Sequence, residues 1–368
     1  MKATQTLHDL GQSLWLDNIT RSLLTSGTLR HYIREFAITG LTSNPTIFDL
    51  ALREATTYDD AVRQKTMASK SGEALFFELA LEDLAQAADL FQPVHEATGG
   101  IDGWVSLEVS PLLAEDTART LQAAVELHRR GQRPNLFIKI PGTPAGILAI
   151  EAAIFAGVPI NVTLLFSREQ YVAAAEAYMR GLERRVAAGL NAEVSSVASL
   201  FVSRWDVAVK DKVPAPLRNR LGIAIAKRTY RAYRELLTSP RWRKLAGSGA
   251  RPQRLLWAST GTKDPDAPDS LYVEALAAPD TINTLPEKTL LAFADHGNVS
   301  GEMPADGGDA EAALAEFARA GVDVTALAAE LQSAGTQSFD KSWNDLMACI
   351  ATKSARLRET AQVKAKGQ

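Results

Sequence analysis

The sequence predicts an α/β fold, a closed (β/α)8 TIM barrel carrying additional helices after its last strand, as one domain over residues 1–368. Eight short β-like runs can be read along the chain, and most are separated by a segment of helical periodicity, the pattern of parallel strands joined by crossover helices. No G-x-G-x-x-G turn follows the first run, which argues against an open dinucleotide-binding sheet. Length permits one domain, because barrels of this kind run to more than about 250 residues without dividing.

The first run, 13–19 (SLWLDNI), ends in Asp17 and Asn18, and a helical pattern over 22–36 follows it. The second, 37–45 (AITGLTSNP), is apolar at its start and polar at its end, and is followed by helical patterns over 57–67 and 72–91, the latter strongly amphipathic. The third, 103–109 (GWVSLEV), carries Glu108 near its far end; Pro111 then opens a helix that Gly131 closes. The fourth, 134–143 (PNLFIKIPGT), holds Lys139, with a helix over 144–157 behind it. After the fifth, 159–166 (PINVTLLF), Ser167 and Gln170 stand at capping-box spacing and open a helix through Ala188. The sixth, 195–204 (SSVASLFVSR), precedes a basic, alanine-rich helical region over 206–237. The seventh is 254–262 (RLLWASTGT) and the eighth, the weakest, 281–285 (TINTL). Extra helices occupy about 287–360, among them 324–334 and 338–358, and the polar tail 360–368 is expected to fray.

Composition narrows the function. With 40 Lys and Arg against 43 Asp and Glu, the net charge of −3 favours neither nucleic acid nor a membrane surface. No basic, then apolar, N-terminal pattern and no uninterrupted apolar run of spanning length is present, so a cytoplasmic protein is expected. The single cysteine, Cys349, fits a reducing compartment and reads as a packing residue. Five histidines are scattered without ligand spacing, and no metal or cofactor is expected. The partners expected are small phosphorylated molecules, and the chain is read as a monomer or homodimer.

The chemistry centres on Lys139, set among Leu136, Phe137, Ile138 and Ile140. Desolvation disfavours an ammonium charge and favours the neutral amine that attacks a carbonyl to form an imine. A lysine whose head group snorkels to water from the strand end fits the same pattern. What weighs against it is the company: Asp17, Asn44, Glu108, Asn161, Thr163, Ser199, Arg204, Ser259 and Lys263 all fall at or near strand ends, where a barrel builds its active site. Each has an ordinary structural reading, Asp17 as a helix cap and Asn44 as a turn residue before Pro45. Together they supply one amine, two carboxylates and several short polar groups, the set that Schiff-base carbon–carbon chemistry requires.

Seven motifs in order, SLWLDNI, GLTSNPTIF, VSLEVSP, FIKIPGT, INVTLLFS, VASLFVSRWD and WASTGTKDP, resemble the strand motifs of the transaldolase family, and the tryptophan and the length are similar to its longer bacterial branch. The resemblance implies a metal-independent transferase of the pentose phosphate pathway that moves a dihydroxyacetone unit from sedoheptulose 7-phosphate or fructose 6-phosphate to an aldose phosphate. It implies Lys139 as Schiff-base lysine, Asp17 as acid/base on the C4 hydroxyl, and Glu108 working with Thr163 through a water. Asn44, Asn161 and Ser199 would hold substrate, Phe201 would line the site, and Arg204 would bind phosphate. Where the better known branch has a seventh-strand arginine, this chain has Ser259-Thr-Gly-Thr-Lys263, so Lys263 would meet the phosphate as a point charge. Two other readings stay open at this stage: an aldolase of the same fold that releases dihydroxyacetone, and a non-catalytic phosphosugar-binding barrel.

Overall fold

The structure, a computed structural model, describes residues 2–54 and 56–366, with side chains as far as residue 359 except that of residue 54. Each predicted run holds one strand: β1 (Ser13–Asp17), β2 (Ile38–Thr42), β3 (Trp104–Glu108), β4 (Leu136–Pro141), β5 (Ile160–Leu165), β6 (Ser196–Phe201), β7 (Gln253–Ala258) and β8 (Ile282–Leu285). Neighbours pair in parallel, and β8 returns to β1, closing the barrel. Closure leaves no open sheet edge.

Large rings fill the N-terminal half of the barrel. Trp104 and Phe137 stack with centroids 4.0 Å apart, and Trp15 lies 6.2 Å from Phe137 with its indole N–H donating to Asp102 Oδ1 at 2.7 Å. Trp15 stands opposite Gly40 in the β1–β2 register, and a Cβ on Gly40 would lie 2.6 Å from the indole. A glycine in β2 is therefore the condition for a tryptophan in β1.

The expected punctuation holds where side chains cap. Ser167 and Gln170 form a reciprocal capping box on the helix Arg168–Ala187, and Thr143 accepts from Gly146 N at 3.0 Å at the head of Pro144–Phe155. Several helices differ from expectation for local reasons. The pattern over 22–36 is two helices, Arg21–Thr25 and Thr28–Phe36, parted by Gly27 at φ +83°. Pro111 opens only a 3-10 turn, Pro111–Leu113, because Asp116 caps the true helix Thr117–Gly131 through Arg119 N. The region 206–237 is broken into Ser203–Val209, a 3-10 turn Ala215–Leu217 and Leu221–Thr238, whose start is fixed by Asp206 accepting from Leu221 N and Gly222 N. Helices Ala3–Asp9 and Pro45–Glu54 were not expected at all.

The largest correction is at the C-terminus, where 324–334 and 338–358 form one helix, Val324–Lys366. Gly335, which breaks the pattern in sequence, faces the barrel: a Cβ there would lie 3.0 Å from Leu164 Cδ2 and 3.3 Å from Arg204 Nη1. The glycine permits close approach of the helix and does not end it. The helix lies across the C-terminal end of the barrel, clasped by Gln332 Nε2, which donates to Gly142 O and Leu164 O at 3.0 Å each, and by Thr46 donating to Ser342 Oγ at 2.8 Å. The tail expected to fray is helical to Lys366; residues 367 and 368 lie outside the described residues. Cys349 packs on the core, as expected. Among the described residues, no helix is long and apolar enough to cross a membrane.

Candidate active site

A pocket of about 250 Å³ opens at the C-terminal end of the barrel. Asp17, Asn44, Lys139, Thr163, Ser199, Phe201, Arg204, Ser259 and Lys263 line it, so the structure brings together nine of the residues singled out from sequence. A larger cavity of about 580 Å³ lies at the opposite end among Trp104, Phe137 and Tyr233 and contains none of them.

Lys139 is 5% exposed, and its ammonium nitrogen donates to Ser43 O at 3.0 Å and to Glu108 Oε2 at 3.3 Å. Parallel register places Glu108 beside Lys139 on adjacent strands, which is why residues distant in sequence meet. Glu108 is itself 5% exposed and lies behind the lysine, off the pocket wall. Burial pushes its carboxyl above the ordinary range, Lys139 pulls it back, and Asp17 adds to the rise. A buried amine beside a carboxyl that readily holds a proton is a proton-exchanging pair.

Asp17, at the end of β1, is half-buried. Its carboxyl is also raised, chiefly by desolvation, against which Lys139, a hydrogen bond from Thr42 and Lys263 act. Thr42 Oγ1 donates to Asp17 Oδ1 at 2.7 Å.

Asn161 departs from expectation. It is the second residue of β5, paired in register with Lys139, and its amide is engaged beneath the pocket: Nδ2 donates to Ser106 Oγ at 3.2 Å, and Oδ1 accepts from Ser199 Oγ at 2.7 Å. It braces Ser199, which does line the pocket. Asn44 serves two ends, lining the pocket while Oδ1 accepts from Ile47 N at 3.1 Å to cap the helix Pro45–Glu54. Thr163 is fully buried, and among the described residues its hydroxyl has no hydrogen-bond partner.

Arg204 projects from the helix after β6, its guanidinium 5.0 Å from the Phe201 ring and 5.9 Å from that of Phe339 on the C-terminal helix. Among the described residues it has no ion-pair partner, although Glu108 acts on it at longer range. An arginine that stays charged and unpaired beside two aromatic rings is a ready anion site. Lys263 is exposed at the mouth, likewise without an ion pair among the described residues. Ser259 holds φ +56° just past β7, with its hydroxyl 2.9 Å from that of Ser203. Non-glycine residues in this conformation cluster at functional sites.

Thr42, Thr46, Thr284 and Phe339 also line the pocket and were not picked out from sequence. Thr42 carried a signal, two places before Asn44 in the TSNPTIF motif. Thr284 sits in the weakest strand run, and Phe339 comes from a helix that no strand pattern connects to the barrel mouth.

The family model described as Transaldolase/Fructose-6-phosphate aldolase matches residues 14–350. Among relatives, a protein of Thiobacillus denitrificans named "Transaldolase" is 45% identical over 358 residues, covering 95% of this chain and all of that one. Proteins of the same name from Thermobifida fusca and Arthrobacter sp. are 44% and 42% identical, over 95% and 97% of this chain and 98% and 99% of theirs. A match that starts in the first strand and runs into the final helix, with relatives alike along almost their whole length, makes this chain a member of the transaldolase/fructose-6-phosphate aldolase family.

Proposed function

We propose that the protein is a transaldolase, a transferase that moves a dihydroxyacetone unit from a ketose phosphate to an aldose phosphate through an imine on Lys139, in the non-oxidative pentose phosphate pathway of the cytoplasm. The observation that carries this reading is the buried Lys139 nitrogen 3.3 Å from Glu108, facing a pocket that also holds Asp17 and an arginine without an ion pair among the described residues. Lys139 passes a proton to Glu108 and, as the free amine, adds to the C2 carbonyl of the ketose. The resulting carbinolamine loses its hydroxyl as water with the proton Glu108 returns, leaving an iminium. Thr163, with its buried unpartnered hydroxyl, holds the water through which Glu108 works. Asp17 then takes the proton of the C4 hydroxyl. The C3–C4 bond breaks, its electrons fall into the C2–C3 position to give an enamine, and an aldose phosphate departs. The acceptor aldehyde enters, and the steps run in reverse.

The iminium is the electron sink, so the reaction calls for no metal or cofactor. Asn44, Ser199 with Asn161 behind it, and Ser259 orient the sugar hydroxyls; Arg204 and Lys263 hold the phosphate. Phe201 gives the enamine an apolar wall that limits its protonation by water, which favours transfer over release.

Cleavage of fructose 6-phosphate, followed with and without erythrose 4-phosphate, tests the reading. Glyceraldehyde 3-phosphate should form in step with the acceptor consumed. Product without acceptor would mark a dihydroxyacetone-releasing aldolase of the same fold. Arg204→Ala should raise KM for phosphorylated donors about 10–100-fold, the worth of a charge-assisted bond, and leave that for unphosphorylated dihydroxyacetone near its original value. Equal losses on both substrates would make Arg204 structural.

A further inference from the structure

Asp17 is held by a chain of two hydroxyls. Thr42 Oγ1 donates to Asp17 Oδ1 at 2.7 Å and lies 2.7 Å from Thr284 Oγ1. A hydroxyl carries one hydrogen, and that of Thr42 is committed to the carboxylate. Thr284 must therefore donate the second bond, and the chain runs from β8 through β2 to β1. Both threonines are 3% exposed, and both line the pocket. Thr260 Oγ1 donates to Asn283 Oδ1 at 2.8 Å and lies 3.1 Å from Thr284 O, so the strand that carries the outer hydroxyl is tied to the loop after β7.

We propose that Thr284, acting through Thr42, is a positioning residue that lets Asp17 be held as a carboxylate and as a carboxylic acid without movement of the main chain. The inference rests on the reading of Asp17 as the group that alternates between these forms during carbon–carbon cleavage. A protonated carboxyl keeps a carbonyl oxygen, so with the proton on Oδ2 the Thr42 hydroxyl goes on donating to Oδ1. Thr284, by donating to Thr42 Oγ1, holds the Thr42 hydrogen in that direction in both forms. No threonine O–H bond breaks, and the one proton that changes owner passes from the substrate hydroxyl to Asp17.

Burial pushes the Asp17 carboxyl above its ordinary range, against the pull of Lys139, the Thr42 hydrogen bond and Lys263. The charged groups that face it come from other elements: Lys139 on β4, Glu108 on β3 and Lys263 after β7. Replacing Thr284 alters none of these.

Thr284→Val keeps the volume and removes the hydroxyl, with Thr284→Ala as a second form of the same deletion. Either variant removes the donor that holds the Thr42 oxygen, so the bond from Thr42 to the carboxylate weakens. Asp17 should accordingly titrate higher, by about half a pH unit or more, since a hydrogen bond to a carboxylate favours its charged form. Carbon-13 NMR of protein labelled at the aspartate carboxyls reads this directly, with the Asp17 signal identified by its loss in Asp17→Asn. The acidic limb of transfer kcat should move the same way, and Thr284→Ser should restore both. An unchanged Asp17 midpoint in the valine and alanine variants overturns the proposal whether or not they melt earlier, as does failure of serine to restore it. The titration needs no substrate, so its result stands apart from the transfer reading, whose own failure would appear as the lack of a borohydride adduct on the unaltered protein.

Discussion

Lys139→Met should give no borohydride-trapped adduct with fructose 6-phosphate and should lose transfer activity by about 10⁴-fold or more, the scale on which removal of an enzyme's nucleophile is felt. The strand carrying it is packed on both sides: Ile138 and Ile140 are fully buried, and Leu136 and Phe137 nearly so. Methionine keeps the length and volume of the side chain, so the fold should survive. Glu108 also tolerates the change, because a carboxyl already raised by burial takes up a proton when its cation is removed and does not remain a bare charge in the interior. Mass mapping of the trapped wild-type protein should place the adduct on the peptide containing Lys139. An adduct of undiminished yield in the variant would show that another lysine is the nucleophile.

Asp17→Asn, by contrast, should trap substrate in full yield and turn over about 10²–10⁴-fold more slowly, the usual contribution of a positioned acid/base. In the proposed mechanism Glu108, 3.3 Å from the amine, serves imine formation, and Asp17 enters only when the carbon–carbon bond breaks. Asparagine can still accept the bond from Thr42, so the pocket should keep its shape. In the unaltered enzyme, the acidic limb of kcat should lie above the ordinary carboxylate range, since the base must be ionised and its pKa is raised. The sign for stability follows. A carboxyl raised in the folded state binds its proton more readily there than in the unfolded chain, so its ionisation destabilises the fold as pH climbs through the interval between the two values. The variant should therefore melt higher than the unaltered protein at neutral pH while doing less work. Normal turnover in Asp17→Asn would remove this residue from the mechanism.

The strands and the residues gathered around Lys139 were legible in the sequence because each rested on a contrast with its surroundings. Lys139 interrupts an apolar run, Glu108 ends one, and Asp17 terminates β1. What escaped depended on relations between distant segments. Thr42 and Thr284 are ordinary strand threonines until the register sets their hydroxyls 2.7 Å apart. Asn161 gives no sign in sequence that it sits beneath the pocket with its amide bonded to Ser106 and Ser199. Gly335 falls between the two helices expected over 324–334 and 338–358, and nothing local in the sequence says that the barrel there lies too close for a side chain. Phe339 belongs to a helix whose own periodicity cannot say what lies beneath it, and so one wall of the pocket was invisible.

The placement of that wall sets an order of events in synthesis. All eight strands have been made by Leu285, but the aromatic ring above Arg204 and the Gln332 clasp arrive only with the helix that begins at Val324. A nascent chain can thus close its barrel on the ribosome while the mouth of the pocket still lacks one side. Competence for turnover should come as a late event, gained when the final segment leaves the exit tunnel and folds back over strands completed well before it.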